Sequence, residues 1–155
     1  MADVFVSYSR RDRDRVAPLV AALESQGWSV WWDPAIGPGQ EFDRLIAAEL
    51  AMASAVLVVW TDDSVQSRWV RGEARDGADR GILVPVRIGN ASLPIDFRAL
   101  HTIDLADSAG AASSPQFRDA VRGYLPAPRH QDLYRGEVFP PRPNVMKPDQ
   151  ALRAK

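Results

Sequence analysis

The run Ala55-Val56-Leu57-Val58-Val59-Trp60 decides how this chain folds. Unbroken apolar character suits a central strand of a parallel sheet covered on both faces, not the alternating strand of a sheet with one wet side. The next residues, Thr61-Asp62-Asp63-Ser64, are helix-capping types. Asp62 and Asp63 are therefore better read as caps than as a site. Ser64-Val65-Gln66-Ser67-Arg68-Trp69-Val70-Arg71-Gly72-Glu73 then reads as a helix leaving the carboxyl end of that strand. Trp69 and Glu73, four apart, share one helical face. The helical neighbours of Glu73 are Trp69, Val70, Asp76 and Gly77, none of them a cation. A carboxylate so placed is a poor surface ion pair and a better candidate for chemistry. Asp76 would raise its proton affinity if both lie on the same face. Trp69 fits a core position and a pocket wall equally well.

Working outward, strand and helix periods alternate. Asp3 to Tyr8 reads as a buried strand, followed by polar Ser9-Arg10-Arg11-Asp12. Val16, Leu19, Val20 and Leu23 recur at helical spacing up to a stop at Gly27. Pro18 is tolerated if the cap lies near Asp14, which puts the proline in the first turn. Trp28 to Trp32 is a second strand with Trp31 on the face opposite Trp28 and Trp32, stopped by Asp33-Pro34 and the Gly37-Pro38-Gly39 loop. Phe42, Leu45, Ile46 and Leu50 mark a second helix. Ile82 to Ile88 is a fourth strand in which Pro85 points to an edge or a bulge. Thr102 to Leu105 is a weaker fifth, and Ser113-Ser114-Pro115 opens a last helix through Phe117, Val121, Tyr124 and Leu125.

Strict alternation predicts a parallel sheet with helices on both faces. Five strands fit the flavodoxin-like order 2-1-3-4-5, whose ligand crevice opens at the carboxyl ends of strands 1 and 3. Those ends are Tyr8-Ser9-Arg10 and Trp60-Thr61-Asp62, and the loop after Trp32 is expected beside them. Beyond Leu125 the character changes: residues 126–155 hold Pro126, Pro128, Pro140, Pro141, Pro143 and Pro148, half of the 12 prolines, with few apolar residues and no period. The expected organisation is one domain over 1–125 and a Pro-rich tail or linker over 126–155, compatible with the front module of a longer protein.

Composition narrows the function classes. The chain has 155 residues, 46% hydrophobic and 25% charged, as soluble domains do. A net charge of -1 with arginines mixed among aspartates gives no footprint for nucleic acid. The absence of cysteine excludes disulfides, thiolate nucleophiles and Cys-ligated zinc. His101 and His130 are too few and too scattered for a His-based metal site. No signal-peptide pattern and no membrane-length apolar stretch is present, so a cytoplasmic protein without membrane insertion is expected.

Val4-Phe5-Val6-Ser7-Tyr8-Ser9 resembles the first box of Toll/interleukin-1 receptor (TIR) domains, and Asp33 through Ile36-Gly37-Pro38-Gly39 resembles their second. Ser67-Arg68-Trp69-Val70-Arg71-Gly72-Glu73 is similar to the Trp and Glu segment of the NAD-cleaving, bacterial-type members. The likeness spans roughly residues 3–125. It implies a domain that cleaves NAD, one that signals by self-association, or both. Carried over residue by residue, Glu73 is the catalytic glutamate and Trp69 a pocket wall, while Ser9, Arg10, Trp32 and Asp33 form the rim. Ile36, Gly37, Pro38 and Gly39 belong to the loop that docks a neighbouring copy. Defence signalling in a bacterium goes with that resemblance.

The residues suit the implied chemistry. Nicotinamide leaves a cationic pyridinium as a neutral molecule, so no general acid is required. A single carboxylate can hold the ribose hydroxyls and stabilise an oxocarbenium-like carbon. Trp69 and Trp32 are available as aromatic walls for the pyridinium. NAD is then a substrate, no cofactor is required, and the products are nicotinamide and ADP-ribose or a cyclic isomer. Two rivals share the topology. A phospho-accepting receiver would want acidic residues at the end of strand 1 and a lysine near strand 5; strand 1 ends instead in Ser7-Tyr8-Ser9, and Thr102 to Leu105 leads to Ala106-Asp107 without lysine. A non-catalytic TIR scaffold, docking through Asp33 to Glu41, stays open as the alternative.

Overall fold

The computed structural model describes residues 2–32, 40–105 and 115–128. Five parallel strands, β1 (Val4–Ser7), β2 (Val30–Trp31), β3 (Ala55–Trp60), β4 (Leu83–Ile88) and β5 (Ile103–Leu105), form one sheet in the order β2-β1-β3-β4-β5. This is the flavodoxin-like order expected from the sequence. Every residue of β3 is buried, as its unbroken apolar run requires. Helices α1 (Arg13–Ser25) and α4 (Pro115–Tyr124) cover one face, and α2 (Gln40–Met52) and α3 (Arg68–Asp79) the other.

Strand parity sorts the side chains between the two faces. Val4, Val6 and Tyr8 of the first strand segment pack with Val16, Leu19 and Leu23 of α1 and with Phe117 and Val121 of α4. Phe5 turns the other way, stacked on Trp31 at 5.1 Å and packed with Ile46 of α2. Trp28 and Trp32 join the first cluster and Trp31 the second, the division that two-residue periodicity predicts. Register carries the same logic to β3, where Ser7 sits beside Val58.

Both α1 and α3 stop the same way. Gly27 and Gly81 adopt φ of 104° and 70°, and the amides of Trp28 and Ile82 reach back to the carbonyls of Leu23 and Gly77. These are Schellman closures, in which glycine takes the left-handed position without steric cost. The start of α1 differs from expectation. The cap is Asp12, not Asp14, because a short 3-10 turn (Arg10–Asp12) precedes the helix, so Pro18 lies beyond the first turn and the helix runs through it.

Pro85 also behaves differently from the edge or bulge expected of it. Its strand is interior, between β3 and β5. The Val56 amide bonds the Ile82 carbonyl, so even-numbered residues of β4 face β3 and Pro85 faces β5. Pairing with β5 starts only at Val86, so no ladder bond is lost at the proline. The alternation of strand and helix breaks once: a 3-10 turn (Ile95–Phe97) lies between β4 and β5. Of the Pro-rich segment, residues 129–155 lie outside the described residues. At its start the Pro126 carbonyl accepts the Trp28 indole N–H at 2.8 Å. Among the described residues no helix is long and apolar enough to cross a membrane.

Candidate active site

The carboxyl edge of the sheet is built by hydrogen bonds that turn β3 into α3. Thr61 and Ser64 bond reciprocally, the Thr61 amide to Ser64 Oγ at 2.7 Å and the Ser64 amide to Thr61 Oγ1 at 3.1 Å. Ser64 Oγ also donates to the Val59 carbonyl at 2.7 Å. The Thr61 hydroxyl donates to the buried Asp12 carboxylate, tying the turn after β1 to the residue that follows β3. The cap of α3 is Ser67, whose Oγ accepts the Val70 amide at 3.2 Å. Asp62 and Asp63 do not cap α3 as expected, because a 3-10 turn (Ser64–Gln66) delays the helix. Asp63 instead faces Arg11 at 3.6 Å.

A glycine sets how deep the helix sits. A Cβ at Gly77 would lie 2.9 Å from Val56 Cβ, inside the distance real side chains keep, so α3 rests directly on β3 there. One turn earlier the same face carries Glu73, which is 7% exposed. Its Oε1 accepts the Ser7 hydroxyl at 2.6 Å, from the last residue of β1. No cation pairs with it among the described residues. Burial pushes the Glu73 carboxyl up from its ordinary 4.5 to about 7, while hydrogen bonding by Ser7 and by the Trp69 side chain pulls the other way. Asp76 is not the cause: it is exposed and turned to Arg80 at 3.2 Å.

Glu73 opens onto a cleft of about 220 Å³ between α2 and α3, lined by Ile46, Ala47, Leu50, Arg68, Trp69 and Gly72. Trp69 is 44% exposed, which removes it from the core and makes it a wall of that cleft. Arg80 fixes the spacing of the two helices at the far end, donating to the carbonyls of Leu50 at 2.8 Å and Ala51 at 2.9 Å, where α2 leaves its last carbonyls unpaired. A second cleft of about 310 Å³ runs along the outer side of α3, lined by Arg68, Arg71, Gly72, Arg75, Asp96 and Phe97.

Of the residues singled out in the sequence, Glu73 and Trp69 come together. Ser9 and Arg10 lie on the same carboxyl edge but do not line the cleft. Ser9 is half-buried and its carbonyl accepts the Asp12 amide at 2.8 Å, while Arg10 is exposed. Trp32 is buried beneath α1, 5.7 Å from the Tyr8 ring with Arg13 over it at 6.0 Å, on the sheet face opposite the cleft. Asp33 and the loop residues Ile36, Gly37, Pro38 and Gly39 lie outside the described residues. Ser7 was not singled out. Its signal is the strand alternation, which puts it on the face of Phe5, towards α2 and α3.

An open parallel sheet in this order, with a carboxylate recessed beneath the helix after its central strand, defines a flavodoxin-like α/β domain with a cleft at its carboxyl edge. The TIR domain family matches residues 4–120, and the chain belongs to it. Among solved structures it is similar to the TIR domain of the Toll-related receptor TRR-2 from Hydra magnipapillata, at 21% identity and a TM-score of 0.63 over 77% of this chain and 98% of that one. It is also similar to a metazoan TIR-STING receptor from C. gigas in complex with 2',3'-cGAMP, at 22% identity and a TM-score of 0.65. That match covers 81% of this chain and 40% of the receptor. No curated protein sequence matches significantly.

Proposed function

We propose that this TIR domain is an NAD glycohydrolase, with Glu73 as its catalytic carboxylate. The observation that carries the reading is a buried glutamate, bonded to Ser7, facing a largely apolar cleft with no cation paired to it among the described residues. Burying an unpaired carboxylate is costly, and such sites concentrate where chemistry needs them. Trp69 supplies a ring face for the pyridinium, worth about 1 kcal/mol when partly desolvated. The bond between ribose C1' and the nicotinamide nitrogen breaks with both electrons going to the nitrogen, which neutralises the pyridinium. Ionised Glu73 stabilises the positive charge left on the ribose. Water then adds at that carbon and releases a proton to give ADP-ribose; attack by an adenine nitrogen gives a cyclic isomer instead.

A wall with one side open to solvent is half a pocket. Self-association that brings a neighbouring copy against Trp69 would close it and exclude water, so activity is expected to rise with assembly. A scaffold without chemistry leaves the buried acid unexplained. The test is incubation of the pure protein with NAD, dilute and under crowding, beside Glu73→Gln, with nicotinamide release as the readout. Wild-type turnover that Glu73→Gln abolishes is the expected result. Equal turnover in both, or none in either when assembly is shown to occur, defeats the reading.

A further inference from the structure

We infer that the outer cleft of α3 is the diphosphate subsite of the same active site, with Arg68 and Arg71 as its anchors and the Gly72 backbone as the crossing between the two clefts. The inference rests on the NAD-cleaving reading for the identity of the whole substrate, but its ligand chemistry stands by itself. Three observations converge. The cleft at Glu73, about 220 Å³, is smaller than the 300–1,000 Å³ typical of pockets that hold whole small ligands. It suits the nicotinamide end, so the rest of a dinucleotide must continue outside. The two clefts share two residues, Arg68 and Gly72, so a path leads from one to the other over the helix surface.

The second observation is the glycine. Gly72 sits inside a helix, where only proline is less favourable, yet a Cβ there would meet nothing within 4 Å. Packing explains Gly77 but not Gly72. An exposed backbone kept bare on the lip between two clefts is what close approach of a ligand needs. The third is charge. Arg75 is paired with Asp96, whereas among the described residues Arg68 and Arg71 have no carboxylate partner. Two uncommitted guanidinium groups flanking a bare helix surface offer forked donors to phosphate oxygens. Arg71 lines the outer cleft alone, while Arg68 lines both clefts, and neither is paired with Glu73 among the described residues.

The test separates this site from the catalytic reading by using probes that need no turnover. ADP-ribose and inorganic pyrophosphate are titrated by calorimetry into the wild-type protein, Arg68→Gln/Arg71→Gln, Gly72→Leu, Glu73→Gln and the distant control Arg98→Gln. The double variant is expected to bind both probes about tenfold more weakly, with Arg98→Gln like wild type for both and Glu73→Gln like wild type for pyrophosphate, which has no ribose to meet the carboxylate. Gly72→Leu, with open space for its side chain and better helix propensity, should melt no lower than wild type yet lose ADP-ribose affinity. On turnover, the double variant should lose about tenfold more in kcat/KM for NAD than for nicotinamide riboside, which has no phosphate. Equal binding of both probes by wild type and the double variant, or no binding by wild type at millimolar probe, overturns the subsite whatever the enzyme does. Arginine-dependent binding without NAD cleavage upholds the subsite and defeats the catalytic reading instead.

Discussion

Glu73→Gln is expected to make this domain more stable at alkaline pH and, on the proposed reading, to abolish NAD cleavage. The folded state holds the Glu73 proton more tightly than the unfolded chain does, with the carboxyl pushed from 4.5 to about 7 by burial. A raised carboxyl favours folding when protonated, so its contribution is fully present below pH 4.5 and is lost as pH rises through about 7. The displacement corresponds to about 3 kcal/mol of stability lost between those limits. Glutamine imitates the neutral acid and cannot ionise, so it escapes that loss. Its second amide proton finds no assured acceptor beside Ser7, a fixed cost of about 1 kcal/mol. The difference between variant and wild type should therefore climb by about 3 kcal/mol from pH 4.5 to pH 8.5, from a slightly negative starting value. Urea denaturation at half-unit pH steps measures it, and the other carboxylates, Asp3 and Asp12 included, cancel in the difference because both proteins share them. A difference that stays flat within about 0.5 kcal/mol across the range would mean the carboxyl is not held in the low-dielectric site, and the case for a tuned catalytic carboxylate would go with it.

Three further outcomes follow from the same geometry. If ionised Glu73 does the chemistry, kcat/KM for NAD should rise through a single ionisation near pH 7, and Ser7→Ala, which removes a donor to the carboxylate, should move that midpoint upward; an unmoved midpoint denies Ser7 its role. Gly77→Ala places a Cβ 2.9 Å from Val56 Cβ, so overpacking of about 1–3 kcal/mol outweighs about 1 kcal/mol of helix propensity. A net loss of about 1 kcal/mol in thermal or urea melts, with reduced turnover as α3 lifts Glu73 from Ser7, is the expected result. Arg80→Ala should raise KM more than it lowers stability, since it frees the end of α2 that lines the cleft and costs only partly exposed hydrogen bonds; kinetics and melts on one preparation distinguish the two.

The order of the sheet was legible because Ala55 to Trp60 admits one reading and the flanking periods alternate around it. Trp69 and Glu73 were legible from helical spacing and the absence of a cation at any neighbouring position. What escaped the sequence depends on events between elements. The cap of α3 moved from Asp62 and Asp63 to Ser67 because Thr61 and Ser64 spend their polar groups on each other and on Val59, an arrangement no propensity encodes. Trp32 was placed at the rim by the family resemblance, yet strand parity sends its ring beneath α1. Pro85 looked like an edge residue because the length of β5, and hence where pairing begins, is not written in β4.

The Ser7 contact shows most clearly how the fold makes the site. It joins residues 66 positions apart, and its two halves are individually ordinary: a serine ending a strand and a glutamate in a helix. Parity points Ser7 at the α3 face, and Gly77 lowers α3 until Glu73 meets it. The helix is rich in arginine, yet Arg75 goes to Asp96 and Arg80 to Asp76 and the end of α2, while Arg68 and Arg71 line the outer cleft. Cations that could have offset the buried charge are close in sequence, yet among the described residues none pairs with Glu73. A glutamate needed only for packing or solubility would be paired, exposed or replaced by an apolar residue. The arrangement preserves an acid that ionises near neutrality at the wall of an open cleft, which is the property a ribosyl-cation stabiliser requires.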